Sequence, residues 1–200
     1  MDMSEHQELF TSPDHYLHRF EADDLVFMSM DRDAYRRSIF LDRRISPATI
    51  GEMRVPTSRL SGKTPPALPV GWIFHMAHCG STLLARAVEA LSANLVLREP
   101  MALRQLALAP DLRRLDIARS MLSKRYEPNA PTIIKANVPV NFMLSALINP
   151  AQADSVLLLY CNLRDYLKAI LRTPSHRDWV RAITNQMFSQ LGNVDSLSDA

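Results

Sequence analysis

Short apolar runs that alternate with helical segments dominate the chain from Gly71 onward. Four runs predict strands, at 71–76 (GWIFHM), 94–99 (NLVLRE), 132–137 (TIIKAN) and 155–161 (SVLLLYC). Helical spacing of apolar residues predicts helices at 81–93, 101–108, 111–125, 141–148, 163–172 and 177–191. Because alternation of this length favours a parallel sheet with right-handed crossovers, we predict an α/β fold. It should be a three-layer domain of about four parallel strands with helices on both faces.

The residues before Gly71 follow a different pattern. Residues 1–50 are acidic, with a helix predicted at 31–41, and we expect a helical or irregular extension or cap. Residues 51–70 hold four of the thirteen prolines and show no apolar period, which predicts a linker. The main domain is therefore expected at 71–200. Within it, the continuous apolar run at 155–161 predicts a strand buried on both faces.

Composition and charge narrow the function classes. There is no run of eighteen apolar residues, the acidic and polar first ten residues do not resemble a secretory signal, and the two cysteines cannot form a disulfide framework. We expect a cytoplasmic protein without a transmembrane segment. His15 and His18 lack partners at ligand spacing, so no metal site is expected.

The net charge of +2 hides an asymmetry between the two parts of the chain. The first 33 residues hold nine acidic side chains against Arg19 and Arg32, so the rest of the chain is basic. A basic body suits an anionic ligand. Nucleic acid is not the expected partner, because no basic stripe interleaves with aromatic residues. The oligomeric state cannot be deduced from these features.

The loop after the first main-domain strand is the strongest candidate site. It contains Ala77, His78, Cys79, Gly80, Ser81 and Thr82. Strand ends in parallel sheets place ligands at their carboxyl edge, and a glycine turn leading into a helix presents N–H groups to an anion. Ser81 and Thr82 add hydroxyl groups that can bind a phosphate.

Two known phosphate-loop chemistries fit this loop poorly. A Walker A loop requires lysine after its second glycine, where this chain has Ser81. The alternative Gly62-Lys63-Thr64 lacks the first glycine and is followed by two prolines. A cysteine phosphatase loop requires arginine six positions after the cysteine, whereas Arg86 lies seven after Cys79. A small-molecule kinase is therefore a minor alternative.

With His78-Cys79-Gly80-Ser81-Thr82 and Glu99, the chain resembles the sulfotransferase family, in particular the tyrosylprotein sulfotransferase type. The resemblance implies the P-loop superfamily fold and 3′-phosphoadenosine 5′-phosphosulfate as co-substrate. It further implies that residues 78–82 bind the phosphosulfate and that Glu99 is the catalytic base. His78 would assist the transfer of the sulfonate group.

The chain also departs from that family's pattern. Cys161 and Ala169 occupy the positions where the family carries arginine and serine for the 3′-phosphate. Arg164 and Lys168, four residues apart on one helix, are candidates to replace them, unless Asp165 pairs with them. His78 stands where the family has lysine or arginine, and Lys135 is the candidate for the lost charge. Main-domain residues 71–200 are also short for this family.

Two functions follow as expectations from this sequence. The first is sulfonate transfer to an unidentified hydroxyl or amine, on a small molecule or a polymer. The second is a non-catalytic relative that keeps the fold and binds a partner, because three family residues are replaced, at 78, 161 and 169.

Overall fold

A computed structural model describes residues 3–60, 62–148, 151, 153–188 and 190–191. Helix α1 (Met3–Thr11) precedes a three-stranded antiparallel sheet of order β1-β2-β3. Its strands are β1 (His15–Glu21), β2 (Asp24–Ser29) and β3 (Glu52–Pro56). The short helices α2 (Arg32–Arg37) and α3 (Thr57–Leu60) flank β3 in the chain.

The second sheet has four parallel strands in the order β5-β6-β4-β7. They are β4 (Gly71–His75), β5 (Val96–Arg98), β6 (Ile133–Lys135) and β7 (Ser155–Leu159). The helices are α4 (Ser81–Leu91), α5 (Met101–Leu108), α6 (Leu112–Leu122), α7 (Leu144–Leu147), α8 (Leu163–Leu171) and α9 (Pro174–Met187). A 3-10 helix (Val138–Met143) precedes α7.

The structure confirms an α/β fold with a four-stranded parallel sheet flanked by helices. The step from β4 to β5 runs in one direction along the sheet, and the steps from β5 to β6 and from β6 to β7 run in the other. Right-handed connections therefore place α4 on one face and α5, α6 and α7 on the opposite face. The direction changes beside β4, and ligands of such sheets bind beyond the strand ends at this point.

The N-terminal part corrects the prediction of a helical or irregular extension. Residues 15–29 form a hairpin, and residues 52–56 of the expected linker add its third strand. Ion pairs lie on its exposed side, where Arg19 contacts Glu21 of the same strand at 2.8 Å and Glu52 of β3 at 2.7 Å. The apolar run at 25–28 in β2 is compatible with a strand, and the prediction of a helical or irregular extension overlooked it.

One hydrophobic core joins the two sheets. It includes Leu17 and Phe27 of the antiparallel sheet together with Trp72 and Leu97 of the parallel sheet. The Gln105 side chain on α5 binds the β1 backbone twice, donating to the Phe20 carbonyl and accepting from the Phe20 N–H, both at 2.8 Å. The N-terminal sheet is therefore an integral part of the packed structure.

Strand β7 differs from the sequence prediction in its burial. It lies at the sheet edge beside β4, and Val156, Leu157 and Leu158 are 42%, 45% and 59% exposed. Apolar continuity predicted a strand covered on both faces, but the described helices pack mainly beside the other strands.

In the described part of the chain, none of the helices combines the length and apolar character needed to cross a membrane.

Candidate anion-binding site

A cavity of about 480 Å³ opens at the carboxyl ends of β4, β5 and β6. Sequence reasoning placed a site at this edge, and the structure brings five of the predicted residues to the cavity wall. These five are His78, Ser81, Thr82, Glu99 and Lys135. The wall also includes residues that sequence reasoning did not assign to the site: Phe40, Arg44, His75, Arg104, Asn137, His176 and Trp179.

The loop from β4 into α4 forms one side of the cavity. His78 and Gly80 have left-handed backbone conformations, with φ of 60° and 86°. Gly80 is the N-cap of α4 and, having no side chain, caps no N–H group. Since the first N–H groups of a helix have no partner within it, they are available to an anion beside Ser81 and Thr82. Cys79 is half-buried within the same turn.

Glu99 and Lys135 form a buried ion pair at the ends of adjacent strands. The Lys135 ammonium, fully buried, donates to Glu99 Oε1, while the Glu99 carboxylate is 18% exposed toward the cavity. Burial lowers the pKa of Lys135, and the neighbouring Glu99 carboxylate opposes that shift. Glu99 also has φ of 56°, a strained conformation for a side chain of this size. The pair therefore holds a carboxylate and a cation in fixed positions at the cavity wall.

Backbone contacts hold Glu99 in this conformation. Its N–H donates to the Lys135 carbonyl at 2.8 Å, and its own carbonyl accepts from Asn137 Nδ2 at 3.3 Å. Neither contact depends on the Glu99 side chain. Replacement of the carboxylate by an amide should therefore leave the backbone in place.

Arg98, the last residue of β5, attaches a neighbouring segment of the chain to the strand. It is buried, and its guanidinium contacts Glu89 at 2.7 Å rather than Glu99. It also donates to the carbonyls of Tyr35 and Ser38 at 2.5 and 2.6 Å. The Leu41 N–H donates to the Arg98 carbonyl at 2.7 Å. Arg98 thus fixes residues 35–41 against β5 and brings the following residues to the cavity.

Arg44 and Phe40 reach the cavity through this attachment. The Arg44 guanidinium lies 4.1 Å from the Phe40 ring centroid, and Lys135 Nζ lies 5.3 Å from the same ring. Asp42 pairs with Arg44 at 2.5 Å. On the side of α5, Arg104 donates to Gln186 at 2.5 Å. Arg44, Arg104 and Lys135 stand against Glu99 and the paired Asp42, so these five groups leave the cavity with one net positive charge.

These arginines lie far from the loop in sequence and belong to no motif. The only signal for Arg44 was a pair of arginines at 43–44 after an acidic segment. Arg104 is a half-buried residue of α5, a helix whose position the sequence predicted correctly. Recognising either as a site residue required the packing of the N-terminal sheet on α5.

A second group in the wall is aromatic. The His78 and His176 ring centroids are 4.6 Å apart, and Trp179 meets His78 edge-on at 5.7 Å. Burial and the neighbouring His176 lower the pKa of His78. His78 is therefore mostly neutral at pH 7, and it donates a hydrogen bond rather than a permanent charge.

His75, inside β4, supports the strand ends. Its Nδ1 lies 2.9 Å from the Met76 carbonyl oxygen and its Nε2 lies 2.8 Å from that of Ala136. Burial lowers the pKa of His75. The ring therefore connects the ends of β4 and β6 behind the cavity.

Arg164 and Lys168 do not reach this cavity. Both lie on α8, and Lys168 contacts Asp165 at 3.7 Å on the helix surface. The Cys161 Sγ is 3.8 Å from the Met76 sulfur, beyond the end of β7. The predicted replacements for the 3′-phosphate contacts are thus separated from the cationic wall.

The cavity continues into a wider cleft between the N-terminal sheet and α5. The cleft measures about 840 Å³ and shares Arg44 and Arg104 with the cavity. Arg19 and Arg43 also line it. A ligand bound at the loop can therefore extend past two shared arginines.

Comparisons with known proteins add no assignment, since no family model, curated protein or solved structure matches the chain. Within the described residues, there is no cluster of three or more His, Cys, Asp or Glu side chains that could hold a metal ion.

Proposed function

We propose that the protein is a P-loop-type sulfotransferase, which transfers a sulfonate group from 3′-phosphoadenosine 5′-phosphosulfate to a hydroxyl or amine. One observation carries the proposal: the Glu99–Lys135 pair faces the same cationic cavity as the beginning of α4. A helix N-terminus and cations suit the phosphosulfate, and a carboxylate suits the acceptor proton.

The residues fit the phosphosulfate end of this co-substrate. Ser81 and Thr82 lie where hydroxyls and N–H groups can bind its oxygens, and Lys135 and Arg44 add charge. The 3′-phosphate is less well provided for, because Arg164 and Lys168 lie elsewhere. Arg104, shared by the cavity and the cleft, is the residue best placed to take that role.

In the proposed reaction, the acceptor oxygen forms a bond to sulfur while the bond from sulfur to the 5′-phosphate oxygen breaks. The acceptor proton passes to the Glu99 carboxylate. The oxygen of the leaving phosphate keeps the electron pair, and Lys135 and a hydrogen bond from His78 stabilise its charge. Positioning and fixed charges account for the catalysis.

The experiment uses water as the acceptor, so the natural acceptor is not needed. We expect the protein to release sulfate slowly from the co-substrate. Glu99→Gln should lower that rate by roughly 10²- to 10⁴-fold, because the general base is lost while the amide keeps a contact to Lys135. Glu89→Gln, on the far side of Arg98, is not a matched control because it disturbs a buried pair. Glu127→Gln on the exposed surface is the suitable control and should leave the rate unchanged.

A different pair of side chains tests the loop. Ser81→Ala removes a hydroxyl at the beginning of α4, and Ser92→Ala removes one at the opposite end of the same helix. Only the first should weaken binding of the nucleotide. Equal effects of both, or an unchanged rate in Glu99→Gln, would contradict the assignment.

A non-catalytic binding role is the second candidate, and the ion pair itself favours it. Because Lys135 already occupies one carboxylate oxygen of Glu99, the pair also serves as a structural contact. Under this alternative the protein binds the nucleotide but releases no sulfate. Binding without turnover, unchanged in Glu99→Gln, would select it.

A further inference from the structure

The two edges of the parallel sheet differ in how they are covered. At the β5 edge, the strand is short and buried, and residues 38–41 cover it through the bond from the Leu41 N–H to the Arg98 carbonyl. At the other edge, β7 has only β4 as a neighbour among the described strands. Natural proteins usually protect such an edge with charged residues, proline or a bulge.

Strand β7 carries none of these protective features. Its sequence, SVLLL, contains no charge and no proline, and its pairing with β4 is regular from Ser155 to Leu159. The exposures given above for residues 156–158 show that both faces of the strand are open. An uncharged, flat and open edge is a template for another strand.

The backbone of β7 has a self-complementary arrangement. The Ser155 N–H donates to Val70 and the Leu159 carbonyl accepts from Met76, so these two residues direct their polar groups toward β4. Alternate residues of a strand direct their backbone N–H and carbonyl groups to opposite sides, so the residues between these two kinds of position point away from β4. Val156 and Leu158 therefore present N–H and carbonyl groups to the open side.

We propose that a second copy of this chain pairs with β7 in antiparallel register about a twofold axis through Leu157. Val156 of each copy then lies opposite Leu158 of the other, and the two pairs exchange four backbone hydrogen bonds. Leu157 lies opposite itself in the close, non-hydrogen-bonded position. The result is a continuous eight-stranded sheet that leaves no outward polar group of 156 or 158 without a partner.

The exposed leucines of α8, the helix that follows β7, also favour a second copy of the chain as the partner. Leu163, Leu167 and Leu171 are spaced four residues apart on α8 and are 69%, 40% and 57% exposed. An antiparallel pairing keeps each sheet face continuous, so the two α8 helices lie on the same face near the axis. The pairing therefore covers these leucines and the β7 side chains, which are exposed apolar surface of the kind that marks a protein–protein interface.

Residue 157 gives the sharpest test, because the axis brings its two copies together. Leu157→Lys and Leu157→Glu each place two like charges on residues whose Cα atoms are about 4.5 Å apart. Each variant should therefore be monomeric in sedimentation velocity. The wild type should be a dimer. A mixture of the two variants should form a mixed dimer, because lysine then faces glutamate.

Leu83→Lys is the control, since Leu83 is a leucine on α4 that is 76% exposed and is not part of β7. It should remain a dimer. Circular dichroism of every variant checks that each is folded. A monomeric wild type would overturn the proposal, as would a Leu157→Lys dimer or folded Lys and Glu variants that do not associate when mixed.

Discussion

At the residue scale, the Glu99–Lys135 pair explains the chemistry of the site more fully than any other contact. A buried ion pair contributes little net stability compared with apolar residues, but removing one partner leaves the other charge uncompensated. Here the pair lies at a cavity wall, and Glu99 is held in a strained backbone conformation. Strain and buried charge together are typical of functional sites.

The first prediction concerns the stability of this pair. Lys135→Met should lower the free energy of unfolding by about 3–5 kcal/mol, because it leaves the Glu99 carboxylate without its cation. Adding Glu99→Gln should recover much of that loss. Urea denaturation measures all three proteins, and a double variant less stable than Lys135→Met would contradict the interpretation.

The second prediction concerns His78 and pH. Its pKa is lowered in the free protein by burial and by His176, and a bound anion nearby should raise it. Nucleotide binding near pH 6 should therefore take up a proton, and affinity should increase as the pH falls. Calorimetry in buffers of different ionisation heat measures this uptake. His78→Asn should abolish it, whereas His15→Asn should not, and proton release would contradict the assignment.

At the element scale, the sequence predicted the parallel part well and the antiparallel part poorly. All four strands of the main domain and its longer helices lie where the runs and the spacing of apolar residues predicted them. The β1–β3 sheet was missed although the apolar run at 25–28 is compatible with a strand, and the pairing of Arg19 with Glu52 across the sheet became apparent only from the structure. The prediction that β7 is buried on both faces was wrong, because apolar content does not reveal which strand lies at an edge of the sheet.

The same limit applies to the site. The loop, Glu99 and Lys135 could be predicted from their positions at strand ends. Arg44 could not, because it reaches the cavity only through the packing of residues 35–41 on β5, and Arg104 could not, because it belongs to no motif on α5. Arg164 and Lys168 satisfied the helical spacing but lie on a helix surface away from the cavity.

The third prediction tests the attachment of residues 35–41. Arg98→Met should lower the free energy of unfolding by roughly 3–5 kcal/mol, because Glu89 and several backbone carbonyls lose their donor. It should also weaken anion binding, since Phe40 and Arg44 lose their support. Arg59→Met, at an exposed position on α3, should change stability by less than about 0.5 kcal/mol. An unaffected Arg98→Met protein would exclude this role.

At the scale of the whole molecule, the N-terminal sheet and the parallel sheet form one packed body. Lys124, after α6, is buried and donates to the Leu9 carbonyl at 3.0 Å and the His15 carbonyl at 2.5 Å. These contacts tie α1 and β1 to the second half of the chain. Burial lowers the pKa of Lys124 to about 7.

The fourth prediction follows from that lysine. In the unfolded chain Lys124 stays protonated up to about pH 10.4, so the unfolded state binds more protons than the folded state above pH 7. Stability from this group should therefore rise between pH 7 and about 10, by up to 1.4 kcal/mol per pH unit. Lys135, also with a lowered pKa, contributes in the same direction.

Urea denaturation at pH 7 and pH 9 measures the slope. Lys124→Met should reduce it, and Lys63→Met, at an exposed position in the Pro-rich segment, should not. Stability that falls over this range in the wild type, or an unchanged slope in Lys124→Met, would contradict the assigned environment.

The proposed function requires the cationic cavity to bind an adenine nucleotide through its phosphate groups. Calorimetric titration with adenosine 3′,5′-bisphosphate, with ADP for comparison, tests it most directly. We expect binding that prefers the bisphosphate and that is weakened at least tenfold by Ser81→Ala and by Arg104→Met. Absence of binding to either nucleotide, or binding that neither variant weakens, would contradict it.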